Sequence, residues 1–189
     1  MNYPNKINRE YHKTISYANR GMDLENIIND TNEYLLSKDI ALIYKKPTPI
    51  GVVKVNYENN KQIIEKAYFA SPSTLDYNGL YKGKYIEFDA KNTESKTSFP
   101  LSNVHEHQIK HIRNVIKHNG IVFLIIRING ICYLLNGPDF ISFIDNNTRK
   151  SIPYDYIKEF GYELEYNYTK GLNYLKYVDI IGGYKNEET

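Results

Sequence analysis

The stretch STLDYNGLYKGKYIEFDAK, residues 73–91, decides the fold of this chain. It predicts two short strands joined by a two-residue turn at Lys-Gly, residues 82–83, because glycine readily adopts the positive φ that such turns require. With this turn, Asp76 and Asp89 lie directly opposite each other, and opposed residues have Cβ atoms roughly 5 Å apart. Lys91 follows two residues after Asp89 and points to the same face. The hairpin therefore gathers two carboxylates and one ammonium group on one surface.

The dipeptide Asn78-Gly79 leaves a second register open. Asn-Gly is a stronger hairpin-turn signal than Lys-Gly. A turn at this position would draw Asp76 away from Asp89, and the carboxylates would no longer be paired. Glu87 shares a face with Asp89 in either register, and it is expected to form a salt bridge with a lysine or to serve as a third acid.

The paired carboxylates indicate a metal site. Two close carboxylates repel each other, and a divalent cation removes that cost. Hard oxygen ligands suit Mg²⁺, with Mn²⁺ as the alternative. A lysine beside the metal can position the attacking water or offset charge on a phosphate. Asp followed by Asp/Glu-x-Lys on the next strand is the pattern of the PD-(D/E)xK nucleases, although Asp89 and Lys91 also fit an ordinary solvated strand face.

Several longer sequence motifs resemble those of the RecU family. They are NRGMDLE at residues 19–25, KKPTP at 45–49, DYNGLYKGKYI at 76–86, KTSFPL at 96–101 and HEHQI at 105–109. The resemblance covers residues 17–179 and is densest over residues 17–112. RecU proteins are the Holliday junction resolvases of low-GC Gram-positive bacteria and mollicutes. They commonly carry Glu where this chain has Asp89, and the shorter side chain changes the reach of that ligand.

Resemblance to RecU implies a fold and a reaction. The fold is an α/β restriction-endonuclease-like (PD-(D/E)xK) core with a mixed central sheet, flanking helices and a protruding β-hairpin stalk. The reaction is metal-dependent cleavage of four-way (Holliday) DNA junctions in recombination and DNA repair. The expected partners are junction DNA, a second copy of this chain in a homodimer, and the recombinase and branch-migration machinery. The expected location is the bacterial cytoplasm, in association with the nucleoid.

The resemblance also assigns roles to individual side chains. Asp76 and Asp89 are the expected metal ligands, and Lys91 is expected to act beside them. Glu25 is expected to approach the metal site from the first helix, and Gln108 is expected to orient water or phosphate. From the residues alone, Glu25 also fits a carboxylate at the positive end of a helix dipole, and Gln108 also fits a surface glutamine.

The apolar pattern predicts the elements that carry these residues. A stripe at helical spacing predicts a helix over residues 23–37. A second helix is expected to begin at a cap on Ser102 or Asn103 and to end in a left-handed cap at Gly120. Residues 121–128 are almost continuously apolar, as in a central strand that is buried on both faces.

The rest of the chain is predicted less completely. Asn-Gly at residues 129–130 indicates a tight turn into a strand over residues 131–135. Short helices are expected over residues 138–145 and 153–160. The segment that follows is rich in Tyr, Gly and Asn and receives no assignment.

A long hairpin precedes the paired acids in the chain. Residues 50–57 and 62–69 read as its strands, and the stalk is expected as an insertion over about residues 47–68. The remaining chain is expected to form a single nuclease domain over residues 21–189, after a flexible basic tail over residues 1–20.

Basic residues of the tail, the hairpin and one loop are the candidate DNA contacts. They are Arg20, Lys45, Lys46, Lys54, Lys61, Lys66 and Lys96. Each lysine taken alone is also an ordinary solvated charge. The net charge of the 189-residue chain is only +2, so binding to DNA phosphates must depend on local clusters.

The composition argues against secretion and against a membrane protein. The single cysteine, Cys132, cannot form an internal disulfide, which fits a reducing cytoplasm, and its apolar surroundings indicate a buried, inert thiol. No apolar run is long enough to span a membrane, and the start of the chain lacks a signal-peptide pattern. No membrane partner is therefore expected.

Two other functions remain open. The same fold serves restriction and repair nucleases that cut ordinary duplex DNA. The second alternative is a non-catalytic module that binds junctions or a recombinase, in which the acids are vestigial.

Overall fold

A computed structural model describes residues 23–59, 61–70 and 74–184 of the chain. Its helices are α1 (Leu24–Ser37), α2 (Glu106–Lys117), α3 (Gly137–Asn146), α4 (Tyr154–Phe160) and α5 (Tyr174–Ile181). Its strands are β1 (Leu42–Lys45), β2 (Ile50–Glu58), β3 (Lys61–Phe69), β4 (Tyr77–Tyr81), β5 (Lys84–Asn92), β6 (Ser98–Pro100), β7 (Ile121–Ile128), β8 (Ile131–Asn136), β9 (Ser151–Pro153), β10 (Tyr162–Leu164), β11 (Tyr166–Asn167) and β12 (Gly171–Leu172). The predicted basic tail over residues 1–20, which includes Arg20, lies outside the described residues.

The central sheet has six strands in the order β1-β4-β5-β7-β8-β10. Strands β5 and β7 are parallel and every other neighbouring pair is antiparallel, so the sheet is mixed, as predicted. A parallel pair needs a long crossover, and this crossover carries β6 and α2. β7 is buried along its whole length, which confirms the central strand predicted from its apolar run. The described residues thus form a mixed α/β fold.

Alternate residues of β7 enter two hydrophobic cores. Phe123 and Ile125 pack in the core that includes α1 and α5. Leu124 and Ile126 pack in the core that includes α2, α3 and α4. The sheet is therefore covered by helices on both faces, which leaves its strand ends and its edge as the places where polar side chains can gather.

The turn between β4 and β5 lies at Lys-Gly, residues 82–83, as predicted. Both residues have positive φ, 47° and 75°, as a type I′ turn requires. The register pairs Tyr77 with Phe88. Asp76, one residue before β4, therefore continues the register opposite Asp89.

The alternative turn at Asn78-Gly79 is wrong, because both residues lie inside β4. Gly79 instead allows strand β1 to approach closely. A Cβ atom on residue 79 would lie 2.0 Å from the Leu42 carbonyl oxygen and 2.7 Å from the Ile43 Cα. Glycine within a strand often marks such a close approach of another backbone.

We expect Gly79→Ala to destabilise the fold by about 1–3 kcal/mol, because the added methyl group overpacks a backbone contact and must displace β1. Urea unfolding of the purified variant measures the change. Leu80→Ala is the matched control, since Leu80 is an exposed residue of the same strand, and it should cost less than about 1 kcal/mol. An unchanged midpoint for Gly79→Ala would contradict the packing of β1 against β4.

Strands β2 and β3 form a separate two-stranded sheet and, among the described residues, pair only with each other. Extra residues at Val53 and Glu65 produce two bulges. The described residues of the hairpin are exposed, except for the half-buried Gly51. Its exposed apolar side chains are Ile50, Val52, Val53, Val55, Tyr57, Ile63, Ile64, Tyr68 and Phe69. The predicted hairpin is present, and it buries very little of itself.

Helix α2 differs from the prediction at both ends. Leu101–Asn103 forms a 3₁₀ turn, so the cap predicted there is wrong, and His105 occupies the N-cap position. Gln108 Oε1 accepts the His105 N–H at 3.1 Å. At the other end the left-handed residue is Asn119, with φ 59°, rather than Gly120. Asparagine tolerates that conformation better than most residues.

Cys132 on β8 is buried, as predicted. Burial raises the pKa of its thiol to about 11, so very little thiolate forms at neutral pH. The side chain therefore behaves as a small apolar residue.

The segment without a sequence assignment contains β10, the β11–β12 pair and α5. α5 contributes Tyr174, Leu175 and Val178 to the core shared with α1. Within the described residues, no helix is both long enough and apolar enough to cross a lipid bilayer.

Candidate active site

The two predicted acids meet where β4 begins. Asp89 is fully buried and Asp76 is half-buried, and the β4–β5 register places the two residues opposite each other. Burial, followed by the contact with Asp76, raises the pKa of Asp89 to about 7, although Lys91 acts in the opposite direction. The pair therefore resists carrying two negative charges without a further cation.

This donor set fits a hard divalent cation. Carboxylate oxygens suit Mg²⁺, and a bound cation would replace the proton that Asp89 tends to retain. In the part of the chain that the structure describes, no group of three or more His, Cys, Asp and Glu side chains is arranged to hold a metal. A site built on Asp76 and Asp89 would therefore have two side-chain ligands, and Mg²⁺ usually keeps several waters.

Two other predicted side chains contact Asp89. Lys91 Nζ lies 2.8 Å from Asp89 Oδ2, and Gln108 Nε2 donates to the same oxygen at 2.7 Å. The Ala90 N–H donates to Asp89 Oδ1 at 2.9 Å. Gln108 is only 5% exposed, so the surface position considered for it is wrong. These contacts fix the orientation of the Asp89 carboxylate.

Glu25 lies in the first turn of α1 and forms an ion pair with Lys45, and both side chains are exposed. Burial, and then the negative charges of Glu25 and Asp76, raise the pKa of Tyr77, so both acids lie within electrostatic reach of that residue. No hydrogen bond or ion pair between described residues joins Glu25 to Asp76 or Asp89. The structure therefore places Glu25 at the margin of the site.

A second carboxylate is buried beside Asp89. Glu87 is 0% exposed and forms an ion pair with Lys46, as predicted for this acid. His111 Nε2 lies 2.7 Å from Glu87 Oε2, and the Tyr85 hydroxyl donates to that oxygen at 2.8 Å. Burial opposes ionisation of Glu87, but the bonds from its three partners hold its pKa below the ordinary value. The Glu87 cluster denotes these residues together with Thr74, which Lys46 also contacts.

Comparison with known proteins identifies the family. The profile of the family described as Recombination protein U, RecU, matches residues 19–180. The chain belongs to the RecU family. Proteins named Holliday junction resolvase RecU from Staphylococcus aureus strains JH9, COL and MRSA252 are each 45% identical to it, and each alignment covers 96% of this chain and 96% of the relative.

The lysines expected to contact DNA in this RecU-family chain fall into two groups. Three form ion pairs within the protein: Lys45 with Glu25, Lys46 with Glu87, and Lys54 with Glu65. Three are exposed and form no ion pair with any described residue: Lys61, Lys66 and Lys96. Lys46 differs from the others because its side chain is only 20% exposed and its ammonium also donates to Thr74 Oγ1 at 2.6 Å.

Sequence reasoning missed Thr74 and His111. A signal existed for the histidine, because residues three apart on a helix share a face, and His111 follows Gln108 by three. Asp89 and Glu87 likewise share a face of β5. If Gln108 faces Asp89, His111 is then expected to face Glu87. No comparable signal pointed to Thr74, since its contacts depend on chain segments that are distant in sequence.

Proposed function

We propose that this chain is a Holliday junction resolvase, a metal-dependent endodeoxyribonuclease of recombination and DNA repair. The observation that carries the proposal is the pairing of Asp76 opposite Asp89 in the β4–β5 register, beside Lys91, in a chain of the RecU family. Relatives at 45% identity bear the name of that activity. We assign the core to the restriction-endonuclease-like (PD-(D/E)xK) class and the reaction to the bacterial cytoplasm, at the nucleoid.

The site residues divide the chemistry among them. Bound Mg²⁺, or Mn²⁺ as the alternative, would polarise a phosphate oxygen and stabilise the leaving oxygen. Asp76 and Asp89 hold the ion, and Gln108 keeps the Asp89 carboxylate in place. Lys91 positions the attacking water and faces the negative charge that develops on the phosphate. Glu25 supports the site from its margin.

Basic residues of the chain supply the phosphate contacts. We assign this role to Arg20, Lys45, Lys54, Lys61, Lys66 and Lys96. Exposed ion pairs such as Lys45 with Glu25 contribute little free energy, so a phosphate can replace the carboxylate. We assign Lys46 a structural role instead of a DNA contact, because its ammonium forms an ion pair with the buried Glu87 carboxylate.

Cleavage of matched substrates tests the function. A synthetic four-way junction and a linear duplex of the same sequences are incubated with the protein and Mg²⁺. We expect paired nicks in the junction and slow or absent cutting of the duplex. Equal cutting of both would identify a duplex nuclease, and junction binding without any cutting would identify a non-catalytic module.

We propose that the β2–β3 hairpin is a stalk that contacts junction DNA. Replacing residues 48–66 with a short turn should weaken junction binding by about tenfold or more while the unfolding temperature stays near that of the wild type, because the hairpin is exposed along both strands. Gel shifts with junction and duplex measure the effect. An equal loss of duplex binding would show that the hairpin contacts the phosphates of any DNA and has no preference for junctions.

We also propose that the protein works as a homodimer, with the recombinase and the branch-migration machinery as further partners. A four-way junction has approximate two-fold symmetry, and two-fold dimers are the commonest closed assemblies. Two chains present two active sites for the two symmetric nicks. The 19 tyrosines of the chain offer material for the interface, since tyrosine is enriched at interfaces.

Mixed dimers test this assembly. Heterodimers of wild-type and Asp89→Asn chains should nick one strand and leave the junction unresolved, because only one site is active. Gel analysis of a doubly labelled junction separates nicked from resolved product. Light scattering that gives a monomer at micromolar concentration, both free and on a junction, would overturn the dimer.

A further inference from the structure

We propose that Glu87 is a positioning residue of the active site, which fixes the segment carrying Asp76 and, through Thr74 and Gln108, the carboxylate of Asp89. The inference rests on the proposed function and adds the element that aligns its two metal ligands. It concerns a buried acid that has no hydrogen bond or ion pair to Asp76 or Asp89 among the described residues.

Asp76 needs such an anchor because it lies outside the strand ladder. β4 begins at Tyr77, so the segment 74–76 lacks strand pairing. Among the described residues, one backbone hydrogen bond outside the strand ladders reaches Asp76, from the Lys46 N–H to its carbonyl oxygen at 2.7 Å. Productive sites keep their ligands within about 0.5 Å of the required geometry. Side chains must therefore restrain this segment.

Glu87 restrains the segment through two contacts. The Leu75 N–H donates to Glu87 Oε1 at 3.4 Å. The Lys46 ammonium bridges Glu87 Oε1 and the Thr74 hydroxyl, which accepts at 2.6 Å. The other Glu87 oxygen is held by a phenol hydroxyl and an imidazole, so the carboxylate has no freedom to move.

Thr74 links the Glu87 cluster to the second acid. Its carbonyl oxygen accepts a hydrogen bond from Gln108 Nε2 at 3.2 Å, and the same nitrogen donates to Asp89 Oδ2 at 2.7 Å. One continuous set of bonds thus connects Glu87 with the placement of both metal ligands.

Other roles for Glu87 fit the contacts less well. Each of its oxygens already accepts two bonds from protein groups, so the carboxylate has no lone pair left to act as a third metal ligand, whereas Asp89 Oδ1 accepts only one bond among the described residues. A buried ion pair is also a poor source of net stability, because apolar residues of similar volume often do as well. Alignment of the ligands accounts for a fully buried carboxylate at this position.

The test uses the full-length Glu87→Gln protein. Single-turnover cleavage of a four-way junction should fall about 10²-fold, the loss typical of a displacement near 1 Å. Affinity for Mn²⁺, measured by calorimetry without DNA, should fall about tenfold or more. Junction binding in the absence of divalent metal should not change.

Asp179→Asn is the matched control. Asp179 also binds one lysine and one tyrosine, with Lys82 Nζ at 2.8 Å and the Tyr81 hydroxyl at 3.0 Å. These partners lie at the turn end of the β4–β5 hairpin, away from the acids. Its cleavage rate and Mn²⁺ affinity should stay within about twofold of wild type.

The double variant Lys46→Met with Glu87→Gln separates positioning from stability. It removes the ion pair without leaving an unpaired buried charge, so its unfolding temperature should recover while cleavage and Mn²⁺ affinity stay low. Thr74→Val deletes only the hydroxyl that Lys46 binds, and its cleavage rate should fall about tenfold. This variant provides the test if the other variants do not fold.

Three results would overturn the inference. They are cleavage by Glu87→Gln within about threefold of wild type, recovery of cleavage together with stability in the double variant, and an equal loss in Asp179→Asn. Failure of the wild-type protein to cut any junction would instead refute the proposed function. Mn²⁺ affinity would still report on the placement of the ligands in that case.

Discussion

Asp89→Asn should abolish junction cleavage, with a single-turnover rate at least about 10³-fold below wild type, while junction binding persists. A metal ion contributes several kcal/mol of charge stabilisation in the transition state, and each 1.4 kcal/mol corresponds to about tenfold in rate. Asp76→Asn should behave in the same way, because the hairpin register places Asp76 opposite Asp89. Cleavage with Mg²⁺ and gel shifts without it measure the two properties separately.

The same variant should separate activity from stability. Burial makes the ionised form of Asp89 unfavourable in the absence of metal. Asparagine removes that charge, so the unfolding temperature of Asp89→Asn in metal-free buffer should equal or exceed that of wild type. Retained junction binding and an undiminished unfolding temperature together exclude misfolding as the cause. Near wild-type cutting by either asparagine variant would show that the metal site is assigned to the wrong residues.

Lys91→Ala should lower the single-turnover cleavage rate by about 10²–10³-fold, the loss observed when one preorganised charge-stabilising donor is removed. Its ammonium is held 2.8 Å from Asp89 Oδ2 and its side chain is only 19% exposed, so it is directed into the site rather than into solvent. Junction binding should change little, because one phosphate contact among several is a small part of the affinity. Rapid-quench cleavage with saturating protein measures the chemical step.

Lys84→Ala provides the control for Lys91. Lys84 begins the same strand, is exposed, and lies at the turn end of the hairpin. Both variants remove one positive charge from β5, so a general electrostatic effect would lower both rates equally. Equal rates for Lys91→Ala and wild type would leave Lys91 as a surface charge without a catalytic role.

The β4–β5 hairpin and its acids could be predicted because the signals are local. A positive-φ dipeptide fixes the register, and alternation along the strand fixes the face. The alternative turn at Asn78-Gly79 could not be rejected from the sequence. Glycine is needed at residue 79 because the backbone of β1, from a distant part of the chain, leaves no room for a Cβ atom there. Local turn chemistry cannot distinguish a glycine needed for φ from a glycine needed for space.

The Glu87 cluster could be predicted only in part. The sequence predicts a salt bridge between Glu87 and a lysine, but it does not single out Lys46 from the exposed lysines, because the burial of Lys46 depends on where β1 ends beside the segment before β4. The role of Gln108 comes from the family resemblance. Its contact with Asp89 depends on the packing of α2, which lies in the connection between the parallel strands β5 and β7. α5 is not predicted from the sequence: Tyr174, Leu175 and Val178 stand at helical spacing, but the helix spans only eight residues.

Because the β2–β3 hairpin buries so little of itself, it can open locally without disturbing either core. Its amide protons are then expected to exchange with solvent at a low free energy of opening, whereas those of β7 exchange only when the whole fold opens. The hairpin can therefore be reshaped by a substrate while Asp76 and Asp89 stay aligned. In the proposed function, adaptability toward a deformable DNA crossover and rigidity of the metal-binding carboxylates would then belong to segments of different local stability.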